Sequence, residues 1–338
     1  MRAEPSHRPP ADLFDRGRLQ IKPLAERKHD LGLGSIKPLE SVLCIEPALR
    51  AVAARILAAR DAGAAVVLMM GAHVLREGMQ RYLVDLMKRR LVTQVALNGA
   101  GLIHDFELAL IGQTTESVAR YIAEGQFGLW QETGRINDLV AAAARNGLGL
   151  GEAVGAAIAE GAFPHKDISL LACAWRLGVP VTVHVGIGYD IVYEHPNCDG
   201  AAWGAASYTD FLRFTKGLER LEGGVVMNFG SAIMAPEIYL KALAMVRNAA
   251  RPEGRTIAHF ATLVCDLHDL PTDFHAEAPR GTAGYYYRPW KTMLVRTVAD
   301  GGESFYVRGR HAETIPELWS CLNELEAARA RGKVAPPA

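Results

Sequence analysis

Six short apolar runs, separated by stretches of helical periodicity or by loops, constrain this chain more than any other feature. They are AAVVLMM (64–70), TQVALN (93–98), VPVTVHV (179–185), GGVVMN (223–228), TIAHFATLV (256–264) and ESFYV (303–307). Runs that are apolar throughout, without alternating polar residues, are typical of strands buried on both faces of a sheet. We therefore predict an α/β fold in which helices cover both faces of a mostly parallel sheet.

Two longer segments carry helical patterns. Residues 75–90, LREGMQRYLVDLMKRR, predict one covering helix, because their apolar residues fall on a single stripe. Residues 138–162 are rich in alanine and glycine and predict two tightly packed helices. Their GLGLGEAVG stretch is similar to a dinucleotide-binding fingerprint, but it follows a helix instead of a strand, which argues against a nucleotide site there.

The organisation of the chain is that of one large domain with short extensions. Residues 1–35 are rich in proline, arginine and aspartate without sustained periodicity. They predict an arm that is disordered alone or ordered by packing on a neighbour. Residues 36–330 predict a single α/β domain. Residues 331–338 predict a frayed tail.

Charge and composition limit the classes of partner. The 37 basic residues balance 37 acidic ones, and 49% of the chain is hydrophobic. Neither disorder nor a polybasic, nucleic-acid-binding protein is indicated, so the expected partner is a small molecule or a protein. The longest apolar run, residues 62–72, is too short to cross a bilayer, and the N-terminus has no apolar signal region, so we expect no membrane partner.

The cysteines suggest a reducing compartment. They are odd in number, far apart in the sequence and without a CxxC pair: Cys44, Cys173, Cys198, Cys265 and Cys321. This pattern argues against a disulfide framework and against a thiolate zinc site. The simplest expectation is a cytoplasmic protein.

Glycine and small polar residues recur where the predicted strands end. In an open parallel sheet, ligands bind beyond the carboxyl ends of the strands, where backbone amides point outward. A glycine after a strand is an ordinary turn residue, but its recurrence at several strand ends permits close approach of a ligand to the backbone. The candidate cofactor-binding residues at these ends are Gly71, His73, Asn98, Gly99, Gly101, Gly230 and Ser231.

Acids and histidines at the same ends are candidates for chemistry. A single histidine near a strand end is more often a hydrogen-bonded structural group than a catalyst, and Asp105 lies in a first helical turn, where an acid is favoured by the helix dipole alone. Several such residues together favour a site. The candidates are His104, His184 and Asp190 for catalysis, with Asp105 and Glu237 for substrate binding.

Residues 268–296 form a long irregular stretch that combines acids, histidines, three tyrosines, Trp290 and Lys291. Loops of this length in a compact domain are usually functional or disordered, and the aromatic content argues against disorder. Lys291 among aromatic residues has the setting of a nucleophilic lysine. A cation–π contact at the surface is the alternative interpretation.

Three ordered segments together resemble the deoxyhypusine synthase family. They are GAHVLREGMQRYLVDLMKRRLVTQVALNGAGLIHDFELAL, HKDISLLACAWRLGVPVTVHVGIGYDIVYEHPN and GGVVMNFGSAIMAPEIYLKALAMVRN, and the likeness covers roughly residues 35–330. The resemblance implies a Rossmann-like sheet and a cytosolic homotetramer with active sites at dimer interfaces. It also implies an enzyme that uses NAD to oxidise spermidine and carries the aminobutyl group on a lysine as an imine.

By position, Lys291 in RPWKTM resembles the imine-forming lysine of that family, and Asp190 in GYD resembles the acid that holds an amine of the polyamine. A carboxylate suits a multiply cationic substrate. Two turns depart from the family pattern. His104 stands where the family has an amine-binding acid, and Ala235 and Pro236 stand where it has paired histidines.

Three hypotheses follow from these residues. The first is an NAD-dependent aminoalkyl transferase in which Lys291 is the nucleophile, Asp190 anchors an amine and His104 or His184 acts as the base; Asp105, Glu237 and Trp290 then bind the substrate, and the acceptor is a protein lysine or a small polyamine. The second is an NAD-independent hydrolase that binds a divalent metal through His73, His104 and His184. The third is an inactive scaffold paralogue.

Overall fold

A computed structural model describes residues 13–332, which contain eight strands. The strands are β1 (Leu31–Gly32), β2 (Val66–Met70), β3 (Gln94–Asn98), β4 (Gln113–Thr114), β5 (Val181–His184), β6 (Val225–Phe229), β7 (Ala261–Asp266) and β8 (Glu303–Arg308). β1 and β4 form a small antiparallel pair, and the other six form one sheet in which every neighbouring pair is parallel. Each predicted apolar run overlaps one of these six strands, so the predicted α/β fold is confirmed.

Helices connect the strands and cover both faces of the sheet. They are α1 (Pro47–Ala62), α2 (His73–Arg76), α3 (Gln80–Lys88), α4 (Gly99–Ile111), α5 (Val118–Ala123), α6 (Gln131–Arg145), α7 (Leu150–Glu160), α8 (Leu170–Leu177), α9 (Gly200–Leu218), α10 (Met234–Ala250), α11 (Ala283–Tyr286) and α12 (His311–Ala330). A π-helix spans Trp290–Arg296. The single helix predicted over 75–90 is instead divided between α2 and α3. Gly78 divides it with a φ of +81°, and a Cβ at this position would collide with the Ser35 carbonyl.

The central strand β2 shows why the sheet is buried on both faces. Leu68 and Met70 point into a core shared with α1, α3 and α4, whereas Val67 and Met69 point into a second core with α9 and α10. All four side chains are at most 1% exposed. Full burial of one such side chain is worth roughly 1.5–3 kcal/mol, so a continuous apolar run is stable only between two layers of helices.

The order of strands across the sheet fixes where a ligand can bind. The order is β5-β3-β2-β6-β7-β8, so the chain builds outward from β2 to β5 and then returns to build β6, β7 and β8 on the other side. This is the Rossmann order. The loops that leave β2 and β6 therefore diverge, and the crevice between their carboxyl ends is the switch point at which such sheets bind ligands.

Residues 13–35 pack on their own chain, which differs from the predicted arm. β1 pairs with β4, Leu24 is 1% exposed, and Arg27 forms a doubly hydrogen-bonded ion pair with Glu107 of α4, with both side chains 1% exposed. The Arg27–Glu107 pair and the β1–β4 pair hold this segment against the domain. The first twelve residues of the predicted arm, and residues 333–338 of the predicted tail, lie outside the described residues.

One disulfide overturns part of the interpretation of the cysteines. Cys44, in the extended segment before α1, is bonded to Cys321 of α12, with 5.3 Å between their Cα atoms. The two residues are 277 positions apart, so their spacing in the sequence gives no sign of the pairing. Cys173, Cys198 and Cys265 are free. Within residues 13–332, no helix has the length and apolar character needed to span a membrane.

Candidate functional site

Bare backbone forms the floor of the crevice between β2 and β6. The Gly71 amide donates to the Phe229 carbonyl at 2.9 Å, and a Cβ on Gly71 would lie 2.6 Å from the Gly230 carbonyl oxygen. Gly230 has a φ of +67°, in the region that favours glycine. The two exit loops therefore touch backbone to backbone, and a side chain on Gly71 would force them apart.

Ser231 and Asn228 shape the turn that leaves β6. The Ser231 amide donates to Asn228 Oδ1 at 3.1 Å, and Ser231 Oγ accepts from the Ala235 amide, also at 3.1 Å, at the start of α10. Both side chains are buried. The Ser231 carbonyl also accepts from the Asn228 side-chain nitrogen at 2.9 Å, so both polar atoms of its backbone are engaged. The hydroxyl only accepts from Ala235 and keeps its hydrogen to donate, so the predicted role of Ser231 in binding a cofactor falls to the hydroxyl.

The next exit loop brings Asp190 to the start of α4. Asn98 Oδ1 accepts from the Gly101 amide at 3.0 Å and so caps the helix. A Cβ on Gly99 would collide with Asp190 Oδ2, which shows how closely the carboxylate approaches this backbone. Burial raises the pKa of Asp190 to about 6. Gly99 is therefore required by the position of Asp190.

Two more carboxylates lie on the β5 side of the crevice, and neither was predicted as a site residue. Glu194 ends the single turn that follows Asp190, and burial, with the nearby charge of Glu116, raises its pKa to about 7. Glu116 accepts hydrogen bonds from the Gly128 amide at 3.0 Å and from the Trp130 indole at 2.8 Å, and burial raises its pKa too. Burial is the largest cause of the raised pKa of both acids.

Lys291 lies in the π-helix, whose Met293 contacts Asn228 of β6 and Thr262 of β7. The residue is 6% exposed, and its Nζ lies 3.9 Å from the centroid of the Tyr285 ring. Glu237 of α10 is nearby, and its pKa is lowered by a hydrogen bond from Lys241 and by the charges of Lys241, Arg288 and Lys291. Glu237 is paired with Lys241 and, at 2.8 Å, with Arg288. The structure thus brings Lys291 and Glu237 to one side of the crevice.

Trp290 organises the long stretch that precedes it. Its indole donates to the Phe274 carbonyl at 2.8 Å, and its ring packs so closely on Gly284 that a Cβ there would lie 2.8 Å from the indole. The residue is 8% exposed. These contacts fold the loop, so they favour a structural role for Trp290 over the predicted role in binding substrate.

His104 belongs to a buried network beneath the N-terminal segment. Thr114 donates to Glu107 Oε2 at 2.7 Å, so its oxygen accepts from His104 Nδ1 at 2.9 Å. Burial lowers the pKa of His104 to about 4. Burial alone would raise the pKa of Glu107, but Arg27 and two threonine hydroxyls hold it below its usual value. His104 is a neutral member of this network. It follows the turn after β3 in the sequence, but its side chain is not part of the crevice floor.

His184 is likewise a packed side chain. Its Nε2 lies 2.9 Å from Thr182 Oγ1, and its ring meets Phe214 of α9 edge to face. Burial lowers the pKa of His184 to about 3. A base with so low a pKa accepts protons poorly near neutral pH. We assign His104 and His184 to the packing of the sheet, contrary to the prediction that one of them is the catalytic base.

Asp105 caps a helix. Its carboxylate accepts from the Ser169 hydroxyl and from the Leu170 and Leu171 amides at the start of α8, at 2.5, 2.7 and 3.1 Å. Burial raises the pKa of Asp105 to about 6 despite these bonds. The carboxylate is bonded to the start of α8, so Asp105 is a helix cap and does not have its predicted role in binding substrate.

The alternative metal site does not form. His73, at the start of α2, is exposed, and its Nε2 lies 3.2 Å from an Arg76 guanidinium nitrogen; burial and Arg76 lower its pKa. His104 and His184 are each held by a threonine. Across residues 13–332, no group of three or more histidine, cysteine, aspartate or glutamate side chains is arranged to hold a metal ion.

Asp210 explains the GLGLGEAVG stretch. Its Oδ2 accepts from the Gly151 amide at 3.0 Å and from the Val183 amide at 2.8 Å, and a Cβ on Gly149 would collide with Oδ1. Burial raises the pKa of Asp210 to about 7. The start of α7 is therefore occupied by a carboxylate of α9, in agreement with the interpretation that this glycine-rich segment is not a nucleotide site.

His311, the first residue of α12, was missed. Its ring lies directly over Gly230, so that a Cβ on that glycine would collide with Nε2. The segment GRHAE that carries it follows the sixth apolar run. Because ligands bind beyond the carboxyl ends of the strands, the position of His311 after the sixth run is a sequence signal for it.

Comparison with known proteins supports the fold at a distance. No family model matches the chain, and no curated protein is significantly similar. Among solved structures, the chain is similar to a cysteine-to-alanine mutant of AgrE bound to L-arginine, with a TM-score of 0.51 and 16% identity over 84% of this chain and 33% of that one. AgrE with ornithine and NAD+ gives a TM-score of 0.47 and 17% identity over 84% and 34%.

A putative deoxyhypusine synthase from Entamoeba histolytica gives a TM-score of 0.40 and 8% identity over 76% of this chain and 74% of that one. The chain spans about a third of the length of AgrE. At these identities the likeness concerns the Rossmann-like fold.

Proposed function

We propose that this protein is an NAD-dependent enzyme that takes an aminobutyl-type group from spermidine or a related polyamine, carries it as an imine on Lys291 and passes it to an amine acceptor. The acceptor is a protein lysine or a small polyamine. The observation that carries the proposal is the buried amine of Lys291, set against the Tyr285 ring beside the crevice.

Lys291 differs from the ordinary lysines of this chain. Lys216 and Lys241 are exposed and paired with Glu219 and Glu237 close by in sequence. Lys291 is buried, and the two carboxylates whose pKa its charge lowers, Glu237 and Glu277, are paired with other residues. A buried amine against an aromatic ring is the setting of a lysine that adds to a carbonyl or imine carbon.

The acids beyond β5 supply the other half of a site for a polyamine. Burial raises the pKa values of Asp190 and Glu194, the latter with the help of the charge of Glu116. Burial also raises the pKa of Glu116, although hydrogen bonds from Gly128 and Trp130 and the charge of Arg27 partly offset this. An ammonium group would stabilise the ionised form of these acids through charge-assisted hydrogen bonds. We assign Asp190, next to the crevice floor, to the amine nearest the reacting carbon.

The floor between β2 and β6 fits a dinucleotide. Gly71 and Gly230 let the two exit loops meet backbone to backbone at the switch point, and His73 follows Gly71 as an exposed residue. We assign these three residues, with the Ser231 hydroxyl, to holding NAD, which would supply the acceptor for the hydride that leaves the amine-bearing carbon. Asn98, Gly99 and Gly101 adjoin Asp190. We therefore assign them to binding the substrate instead of the cofactor.

The resemblance to deoxyhypusine synthases extends the proposal to a cytoplasmic homotetramer with active sites completed at dimer interfaces. Exposed apolar side chains surround the crevice and suit such an interface. They lie on several exit loops: Ile187, Tyr189, Ile233, Leu267 and Tyr286. Sedimentation of the purified protein tests the assembly.

Reductive trapping tests the chemistry directly. Incubation with NAD+ and spermidine, followed by borohydride, is expected to add a saturated aminobutyl group to the peptide that contains Lys291, with release of diaminopropane. Lys241→Ala, which removes an exposed lysine near the same carboxylate, is the matched control and is expected to behave as the wild type. Trapping on another lysine, or absence of both trapping and NAD binding, would refute the proposal and favour the inactive scaffold.

A further inference from the structure

The loop that leaves β8 brings a histidine to the floor of the crevice. α12 begins immediately after the β8 exit loop, and its first residue, His311, packs over Gly230 and edge to face against Phe229. The residue is 8% exposed. Its ring therefore covers the Gly230 backbone at the switch point.

One nitrogen of this ring is left without a partner. His311 Nδ1 is buried and, among the residues that the structure describes, makes no hydrogen bond. A polar atom removed from water is unfavourable unless something else bonds to it. Burial also lowers the pKa of His311, so the ring is neutral and offers one donor and one acceptor.

The charged neighbours of the ring are engaged elsewhere. Glu77 accepts from the Ala312 amide at 2.8 Å, and Asp266 accepts from the Tyr287 hydroxyl at 2.6 Å. His73 faces Arg76. Each group that acts electrostatically on His311 thus has another partner, and the imidazole remains available at the place where the fold binds ligands.

We propose that His311 is a ligand-binding residue of this crevice and that its imidazole forms a hydrogen bond with the bound dinucleotide. The inference rests on the proposed function, because it takes NAD as the ligand of the switch point. It adds a residue of α12 to the proposed NAD-binding residues, which otherwise lie on the exit loops of β2 and β6.

Nitrogen NMR of the wild-type protein tests the contact without altering the fold. Long-range proton–nitrogen spectra report the state of both ring nitrogens, and the His311 signals are assigned by their loss in His311→Phe. Saturation with NAD+ is expected to move the His311 nitrogen shifts. His259, at the opposite end of the sheet and paired with Glu222, is the internal control and is expected to stay fixed.

Calorimetric titration with NAD+ measures the effect on affinity. Loss of one hydrogen bond to a ligand corresponds to roughly tenfold weaker binding. His311→Phe keeps a ring of similar size over Gly230 but removes both nitrogens, and His311→Ala removes the ring. Both variants are expected to bind about tenfold more weakly, whereas His259→Ala is expected to bind as the wild type.

The outcomes separate this inference from the function on which it rests. If the wild type binds NAD+ but the His311 nitrogens do not move and His311→Phe retains full affinity, the ring only packs and the inference is wrong while the function stands. If the wild type does not bind NAD+, the proposed cofactor is wrong, and the inference is wrong with it.

Discussion

Beyond β5 the crevice is lined by carboxylates, whereas beyond β6 and β7 it is lined by lysine and arginine. The same type of group responds in opposite ways on the two sides. Burial raises the pKa of Asp190 to about 6, while a hydrogen bond from Lys241 and neighbouring positive charges lower that of Glu237. Burial raises the pKa of Asp190, whereas Glu237 is paired with Lys241 and Arg288, so the proposed function puts the cationic substrate between Asp190 and Lys291.

The largest effect is expected on the lysine side. Lys291→Ala removes the proposed nucleophile and is expected to lower the release of diaminopropane from spermidine by at least about a thousandfold, because the aminobutyl chain is then left without its carrier. The rate is measured in single-turnover assays. The rate of Lys241→Ala should stay within a few fold of the wild-type rate. Full turnover by Lys291→Ala would show that the lysine side of the crevice does not supply the nucleophile.

The acid side depends on the segment that covers it. Arg27→Ala leaves Glu107 buried without its cation and is expected to lower the free energy of unfolding by about 3–5 kcal/mol. Chemical denaturation measures the change. Arg50→Ala breaks an exposed pair with Glu324 and is expected to cost at most about 1 kcal/mol. Equal effects of the two substitutions would show that the Arg27 pair does not anchor this side.

Asp190 tests the acid side of the crevice through the pH dependence of substrate affinity. Asp190→Asn is expected to raise the KM for spermidine by roughly ten- to a hundredfold, the loss of one charge-assisted contact, with a smaller change in kcat. Because the pKa of Asp190 is about 6, wild-type affinity should strengthen as the pH rises through 6, when the carboxylate ionises. A variant with unchanged KM and an unchanged pH profile would exclude Asp190 as the amine ligand.

The last test concerns Asp210, a buried acid that is away from the crevice. Its folded pKa of about 7 exceeds the ordinary value of 3.8, so the folded state retains a proton that the unfolded chain has lost. Between pH 4 and 7, this group lowers stability as the pH rises, by at most about 1.4 kcal/mol per pH unit.

Asp210→Asn keeps an oxygen for both amides and removes the titration, so its unfolding free energy is expected to vary less over this range. Denaturation at several pH values measures the difference between wild type and variant. Parallel curves for the two proteins would show that Asp210 is ionised throughout and that burial does not distinguish it from a surface acid.

The sequence was sufficient for the sheet and insufficient for most of the polar side chains. Runs such as residues 64–70 identify their strands because burial on both faces leaves only apolar residues. The division between α2 and α3 depends on the contact of Gly78 with Ser35, which is 43 positions away and leaves no local pattern. The partners of Asp105, His104 and His184 are similarly set by packing, so residue type alone could not separate a cap from a catalyst.

Position along a strand was the more useful signal. Asp190 was identified at a strand end, whereas Lys291 was identified from the aromatic-rich stretch 268–296 and from the resemblance, and the roles of both remain predictions. His311 also follows the end of a strand, β8, so the same rule applies to it. Arg27 gave no signal, because a single arginine in a proline-rich segment does not indicate that it pairs with an acid 80 residues away.

The bond between Cys44 and Cys321 changes the topology of the polypeptide. It turns residues 44–321 into a covalent ring, from which the chain continues on both sides. The exposed loop before the π-helix lies within this ring, so a protease that cuts there opens the circle without releasing a fragment. The nicked protein keeps the mass of one molecule until a reductant separates α12 from the segment that precedes α1.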